Sequence, residues 1–263
     1  MDSFADERDF ALLQNNRYTF FILSRILKGE CQLILTDHKR LIICFSGNPF
    51  PAWIWTADNA DSDEMERAYS LAKETGFLDG KHRINLKYEL ADYFIKRAKL
   101  EEKKISILTN MFAYDCPKLV DSPTPTDGTF ALCTPEEKEE LAEFMELMKQ
   151  EIGFDQKERK EYLEDAERAI KNRDTYFWKN AQGKNVASCN FSPNENLADI
   201  GLVFTRPEHR RHHYAENLVY QVTKTVTQSG YLPMLYTDAD YTASNACYEK
   251  IGYVLRGKLC TIG

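Results

Sequence analysis

Apolar and polar positions alternate along the chain in short segments of two different periods. Up to about residue 28 the apolar positions follow helical spacing. Residues 31–36 and 40–45 are apolar runs flanking Asp37, His38 and Lys39, which predicts a β-hairpin. Residues 51–57 predict a third strand. Met65, Ala68, Tyr69 and Ala72 share one helix face. Leu86, Leu90, Phe94 and Ile95 predict a second helix, and residues 105–114 a closing strand.

The second half has a clearer order. Residues 129–133 predict a strand. Residues 135–152 predict a helix with Pro135 in its first turn and Leu141, Phe144, Met145, Met148 and Ile152 on one face. A helix over 158–171 follows, then strands over 175–179 and 185–191 around Gly183, and a strand over 197–205. The remainder reads as a helix over 214–228, a strand over 232–237, a helix over 244–251 ended by Gly252, and a strand over 253–262. The order β-α-α-β-β-β-α-β-α-β predicts an α/β fold with helices covering a mixed sheet. Between the halves, residues 117–128 read PKLVDSPTPTDG. Proline fixes φ and supplies no N–H, so this stretch predicts a loop or linker. The expected division is a smaller α+β domain over 1–116, a linker over 117–128, and a second domain over 129–263.

Composition narrows the classes. Of 263 residues, 43% are apolar and 12% aromatic, enough to bury a core. No apolar run is long enough to span a membrane. A net charge of −7 argues against a general nucleic-acid binder. The acidic start, MDSFADERDF, does not read as a targeting segment. Seven widely spaced cysteines without a C-x-x-C pair predict reduced thiols and a cytoplasmic protein. The charge is uneven. Residues 136–167 hold thirteen acids and five bases, a net −8, while the other 231 residues sum to +1. A solvated helix face is the commoner cause; attraction of a cationic partner is the sharper one.

Residues 201–218, GLVFTRPEHRRHHYAENL, carry the most chemistry. A strand ends at Thr205, a basic loop follows, and a helix begins near Tyr214. Such a turn aims backbone N–H groups and the positive end of the helix at one point, which suits a pyrophosphate. Arg206, Arg210 and Arg211 add charge beside it. His209, His212 and His213 have no carboxylate or cysteine at a metal-ligand spacing, so no metal is assigned. Cys247, alone on an amphipathic helix, reads as packing.

The stretch TRPEHRRHHYA, residues 205–215, resembles the acetyl-CoA loop of the GNAT superfamily of N-acetyltransferases. Arg210 stands at the R/Q position of R/Q-x-x-G-x-G/A and Ala215 at its last position. The stretch DADYTASNACYEKIGY, residues 238–253, is similar to the family's C-terminal motif, with Asn245, Tyr248, Gly252 and Tyr253 in order. The resemblance covers residues 129–263 and departs at His213, where the family has glycine.

The resemblance implies that Val203, Phe204 and Thr205 line the pantetheine arm. It places Arg210, Arg211, His212, His213, Tyr214 and Ala215 at the phosphates, and Asn245 and Tyr248 facing coenzyme A. It implies direct attack by a primary amine on acetyl-CoA, with Tyr248 as general acid for the leaving thiolate. Asp199 and Glu208 are the nearest acidic candidates for a base, with water as the alternative. From the residues alone, Tyr248 reads as a half-buried aromatic and Asn245 as a turn cap. The implied partners are acetyl-CoA and an amine, with no nucleic acid or membrane, and the chain is a monomer or homodimer. The rival functions are a non-catalytic acyl-CoA-binding or regulatory module and a scaffold that has lost the ligand. The first half is either a degenerate copy of the same fold or an unrelated α+β domain, and Trp53 and Trp55 read as its core.

Overall fold

A computed structural model describes residues 1–120, 122–153 and 156–263. Asp121, within the expected linker, and Asp155, within the acidic segment, lie outside the described residues. The chain forms two compact units: Met1–Ala113, Thr237–Tyr241 and Leu255–Gly263 in one, Tyr114–Tyr236 and Thr242–Val254 in the other. The last residues thus group with the first unit, although their sequence order adjoins the second.

The first half runs α1 (Glu7–Leu13), α2 (Phe21–Ile26), β1 (Leu33–Thr36), β2 (Leu41–Phe45), β3 (Ala52–Thr56), α3 (Ser62–Glu74), β4 (Ile84–Leu86), α4 (Tyr88–Leu100) and β5 (Ile107–Asp115). The predicted hairpin is β1–β2, paired antiparallel from Leu33↔Phe45 to Thr36↔Ile42. β2 and β3 are antiparallel, whereas β3 and β4 are parallel through Ala52↔Ile84 and Trp53↔Asn85. The core of this unit includes Ile43, Ile54, Tyr69, Leu90 and Phe94. Tyr69 and Phe94 meet edge to face at 5.3 Å, the favoured aromatic geometry. Trp53 and Trp55 are buried, as the core reading expected. Leu86 was expected on a helix and lies instead in β4. A strand of three residues is too short to display a period of two, so the following helical pattern absorbs it.

The second half runs β6 (Thr129–Leu132), α5 (Lys138–Glu151), α6 (Arg159–Asn172), β7 (Thr175–Lys179), β8 (Asn185–Asn194), β9 (Leu197–Thr205), α7 (Tyr214–Gln228), β10 (Leu232–Asp238), α8 (Thr242–Ile251) and β11 (Val254–Ile262). β6, β7, β8 and β9 are successive antiparallel neighbours, and β9 and β10 are parallel. Leu141, Phe144, Tyr162, Phe177 and Phe204 form the core under α5 and α6. Ile152, expected on the apolar face of α5, is 51% exposed. The helix ends at Glu151, so Ile152 has left its periodicity.

Both halves repeat one order: three antiparallel strands, a helix, a parallel strand, a helix and a strand. This favours a degenerate copy over an unrelated domain. The last strand, β11, lies antiparallel to β4 with Cys260↔Leu86 and Ile262↔Ile84, which puts it in the first unit. Among the described residues no helix is long and apolar enough to cross a membrane.

Candidate functional site

β9 is paired with β8 from Leu197 to Thr205, but with β10 only from Leu197 to Asp199. Beyond Asp199 its second edge has no registered strand among the described residues. The β8–β9 register shifts between Ser188 and Asn190, and opposite this shift Leu202 takes φ 50°. Such a bulge re-aims the backbone. The Arg206 N–H donates to the Val186 carbonyl at 3.0 Å, towards β8. Backbone groups alternate sides along a strand, so those of Thr205 and Val203 face the open edge. The Thr205 carbonyl accepts from Arg210 Nε at 3.1 Å. The Thr205 hydroxyl is buried with no hydrogen-bond partner among the described residues, which costs about 1–3 kcal/mol unless a ligand satisfies it.

A single 3₁₀ turn, Pro207–His209, leads from β9 to α7. Arg211 and His213 both adopt left-handed conformations, φ 65° and 61°. The backbone therefore keeps the shape that glycine favours, at a cost of roughly 1–2 kcal/mol for each bulkier residue. α1, α3 and α6 each begin with a capping box, whereas α7 begins without a side-chain cap. The first-turn N–H groups of Tyr214, Ala215 and Glu216 have no carbonyl acceptor within the helix.

Residues 124–127 brace this turn. The Thr126 hydroxyl donates to the His212 carbonyl at 2.6 Å, and the Tyr214 hydroxyl to Asp127 at 2.8 Å. Asn217 donates to the carbonyls of Thr124 and His213 at 2.8 and 2.9 Å. Glu216 is buried, yet its carboxylate accepts from the Thr124 N–H at 2.7 Å and hydroxyl at 2.9 Å, and pairs with Lys250 of α8 at 3.0 Å. His213 Nδ1 lies 3.0 Å from the same carboxylate. Burial pushes the Glu216 pKa up, but these donors outweigh it and hold it below the ordinary value. The His213 ring is thus turned onto Glu216.

The three loop arginines differ. Arg206 was expected beside the phosphates. It pairs instead with Glu143 at 2.8 Å and Glu140 at 3.4 Å, stacked over the Phe144 ring at 4.5 Å. Arg210 pairs with Glu151. Arg211 is exposed and makes no ion pair among the described residues. Glu137, Glu139, Glu146, Glu164, Asp165 and Glu167 are paired with cations too. Most of these cations belong to the segment itself and are already counted in its −8; Lys179, Arg168, Arg206 and Arg210 come from outside it and offset about half of the excess.

On α8, Asn245 and Tyr248 are both buried. Tyr248 packs edge-on against Tyr253 at 6.0 Å, and the Tyr253 hydroxyl lies 2.7 Å from the Thr223 hydroxyl of α7. Gly252 takes φ 117°, and a Cβ there would collide with the Lys118 carbonyl, so the glycine is required. Burial pushes the Cys247 thiol up to about 11, away from a thiolate nucleophile.

Asp199 is half-buried at the last residue paired to β10, opposite Met234. Glu208 is exposed and lines a polar recess with Glu137, Glu140, Asn185 and Arg206. His209, His212 and His213 do not form a metal-ligating group. Among the described residues, the one group with ligand atoms within 4.8 Å of each other is Asp6, Asp9 and His38. There His38 Nδ1 lies 2.7 Å from Asp9 and Nε2 3.0 Å from Asp2, so both ring nitrogens are already engaged.

The family model for FR47-like protein matches residues 181–262, which span β8 to β11. No curated protein matches the sequence. Solved structures match nearly the whole chain. A GNAT-family acetyltransferase from Colwellia psychrerythraea has a TM-score of 0.62 at 11% identity, covering 99% of this chain and 98% of its own. A GCN5-related N-acetyltransferase from Sphaerobacter thermophilus has a TM-score of 0.66 at 11% identity, covering 99% and 94%. One from Kribbella flavida has a TM-score of 0.63 at 13% identity, covering 95% of both. The chain has the GNAT fold.

Within this GNAT fold, the residues present suit an acyl-CoA. The open edge at Val203, the orphaned Thr205 hydroxyl, the uncapped α7 and exposed Arg211 all lie along one strand–loop–helix turn. The sequence reading missed Glu216, Thr124 and Lys250, which fix the loop's shape. Lys250 follows Tyr248 by two residues, and that proximity was the one available signal.

Proposed function

We propose that the protein is an N-acetyltransferase that moves an acetyl group from acetyl-CoA to a primary amine. The observation that carries this reading is the uncapped N-terminus of α7 following the unpaired edge of β9. The tyrosine and asparagine of α8 support it. Acetyl-CoA supplies an activated thioester. The first-turn N–H groups of α7 and the Arg211 guanidinium hold its phosphates. The backbone of Val203 binds the pantetheine arm and polarises the thioester carbonyl. Tyr248 protonates the departing thiolate. Asp199 and Glu208 remain base candidates from sequence; neither is shown near Tyr248. The cytoplasm is the proposed location.

A specific observation favours a second reading, a non-catalytic acyl-CoA-binding module. Arg206 and Arg210 are committed to carboxylates, and two bulky side chains occupy the loop's left-handed positions. Calorimetry with acetyl-CoA and desulfo-coenzyme A separates both readings from a scaffold that binds neither. Thiol release over an amine panel separates enzyme from binder. Tyr248→Phe is expected to lower kcat by ten- to a hundredfold at unchanged acetyl-CoA affinity. Equal rates in the two proteins would remove Tyr248 from the mechanism.

A further inference from the structure

Within the first unit, the sulfurs of Cys31 and Cys44 lie 3.4 Å apart. Cys44 is fully buried in β2, a strand paired on one side with β1 and on the other with β3. Cys31 is half-buried and precedes β1, outside any helix or strand. The Gln32 N–H donates to the Phe45 carbonyl at 2.9 Å, which holds the approach to β1 alongside β2. The Cys31 thiol donates to the Ile26 carbonyl at 3.0 Å, so its sulfur is left to accept from the Cys44 thiol.

The other cysteines are placed differently. Cys133, Cys189 and Cys260 are buried and turn their thiols towards the backbone carbonyls of Thr134, Asn190 and Leu86. Burial pushes the thiols of Cys116, Cys133 and Cys260 up to about 12. Cys247 is half-buried like Cys31, but among the described residues no second sulfur lies within hydrogen-bonding distance of it. Burial also raises the Cys44 thiol, and the Cys31 thiol beside it adds to the effect. A dissolved reagent therefore meets Cys31 first, with the Cys44 sulfur directly behind it. A disulfide needs the two sulfurs about 1.4 Å closer, a shift that the irregular backbone at Cys31 can take.

The geometry points to Cys31 and Cys44 as an oxidisable dithiol that reacts with a hydroperoxide and closes to a disulfide, tying the start of β1 to β2. In the first step the Cys31 sulfur attacks the peroxide. The O–O bond breaks, the sulfur becomes a sulfenic acid, and the peroxide is reduced to water or an alcohol. The Cys44 sulfur then attacks the Cys31 sulfur. The S–S bond forms, the S–O bond breaks, and the hydroxyl leaves with the Cys44 proton as water. β1 is paired with β2 and bridged to Asp2, so the bond adds a covalent tie at the entry to this strand.

The test treats the whole reduced chain with hydrogen peroxide and maps its cysteines by mass spectrometry. Trypsin cuts after Lys28, Lys39, Arg40 and Arg67, so peptides 29–39 and 41–67 carry one of the two cysteines each. The expected product is a monomeric chain lighter by two hydrogens, with these peptides joined and released again by dithiothreitol. The joined form should exceed any oxidised Cys247 peptide several-fold. Cys44→Ser should leave Cys31 as a sulfenic acid that dimedone traps, and Cys31→Ser should keep Cys44 reduced. The oxidised wild type should melt about 5 °C higher than the reduced one. Peptides that stay unjoined at a peroxide dose that consumes free cysteine, or that join only between chains, would overturn the dithiol. An unchanged Tm would overturn the tie between β1 and β2. Should Cys44→Ser fail to fold, the wild-type map and Tm decide. None of these readouts depends on acetyl transfer.

Discussion

The two halves contain the same parallel crossover, β3–α3–β4 and β9–α7–β10, finished in opposite ways. In each, the parallel strands pair only at the start of the first strand: Ala52 and Trp53 in one, Leu197 to Asp199 in the other. In each, a basic side chain takes the carbonyl at that strand's end. Lys87 donates to Thr56 at 2.9 Å, and Arg210 to Thr205 at 3.1 Å. The helix starts then diverge. The Asp61 carboxylate accepts the N–H groups of Asp63 and Glu64 at 3.0 and 2.9 Å, and Glu64 accepts the Asp61 N–H at 3.0 Å. α3 is thus closed by its own anions. α7 has no such cap, and its loop reads RPEHRRHH where the other reads ADNAD. One crossover closes its helix start with its own carboxylates, and the other leaves its helix start without a side-chain cap.

The largest expected effect comes from making the second crossover like the first. His213→Asp should put a carboxylate at the start of α7, and coenzyme A affinity is expected to fall at least tenfold, about 1.4 kcal/mol, by calorimetry. Undiminished binding would mean that the phosphates lie elsewhere. His213→Gly, by contrast, removes the left-handed strain and should preserve or tighten binding. The converse change, Asp61→Ala, should cost about 1 kcal/mol in denaturant unfolding and leave coenzyme A affinity alone. A comparable loss of affinity would show that the two crossovers are not independent in function. Next, Arg211→Ala should weaken coenzyme A about threefold, more at low salt, while Arg206→Ala changes affinity less than Arg211→Ala does. The reverse order would place the Arg206 side chain at the ligand despite its carboxylate partners.

The smallest effect is in pH dependence. Glu216 has a folded pKa below its ordinary 4.5, so its stabilising contribution is full above that pH. The contribution is lost as pH falls through the depressed value. Glu216→Gln should therefore be less stable than wild type at neutral pH and show a flatter decline of Tm below pH 4.5. Parallel declines would mean that Glu216 is not the group coupled to folding there.

Local features were readable from sequence because local physics sets them. α7 begins and ends where Tyr214 and Ser229-Gly230 suggested, and the β7–β8 turn falls at Gly183. The loop and the α8 pair were singled out as candidates through two motifs whose residues are close together in the chain. What escaped is non-local. Glu216 meets Thr124 across 92 residues, and neither has a pattern that announces the other. Arg206 looked like a phosphate ligand because loop charge alone does not reveal which carboxylates α5 will bring against it. The partner of β4 was equally hidden, since strand pairing carries no marker of distance along the chain.

That pairing has a consequence for how the molecule is made. Cys260 reaches the Leu86 carbonyl across 174 residues. During synthesis, β4 emerges long before β11, and its edge stays exposed while the whole second half is built. Loop closure over such a span is slow, and an unpaired strand edge is the kind that mispairs with neighbours. The first half to leave the ribosome is therefore the last to be sealed, and a chain halted before residue 255 would carry an open, aggregation-prone edge.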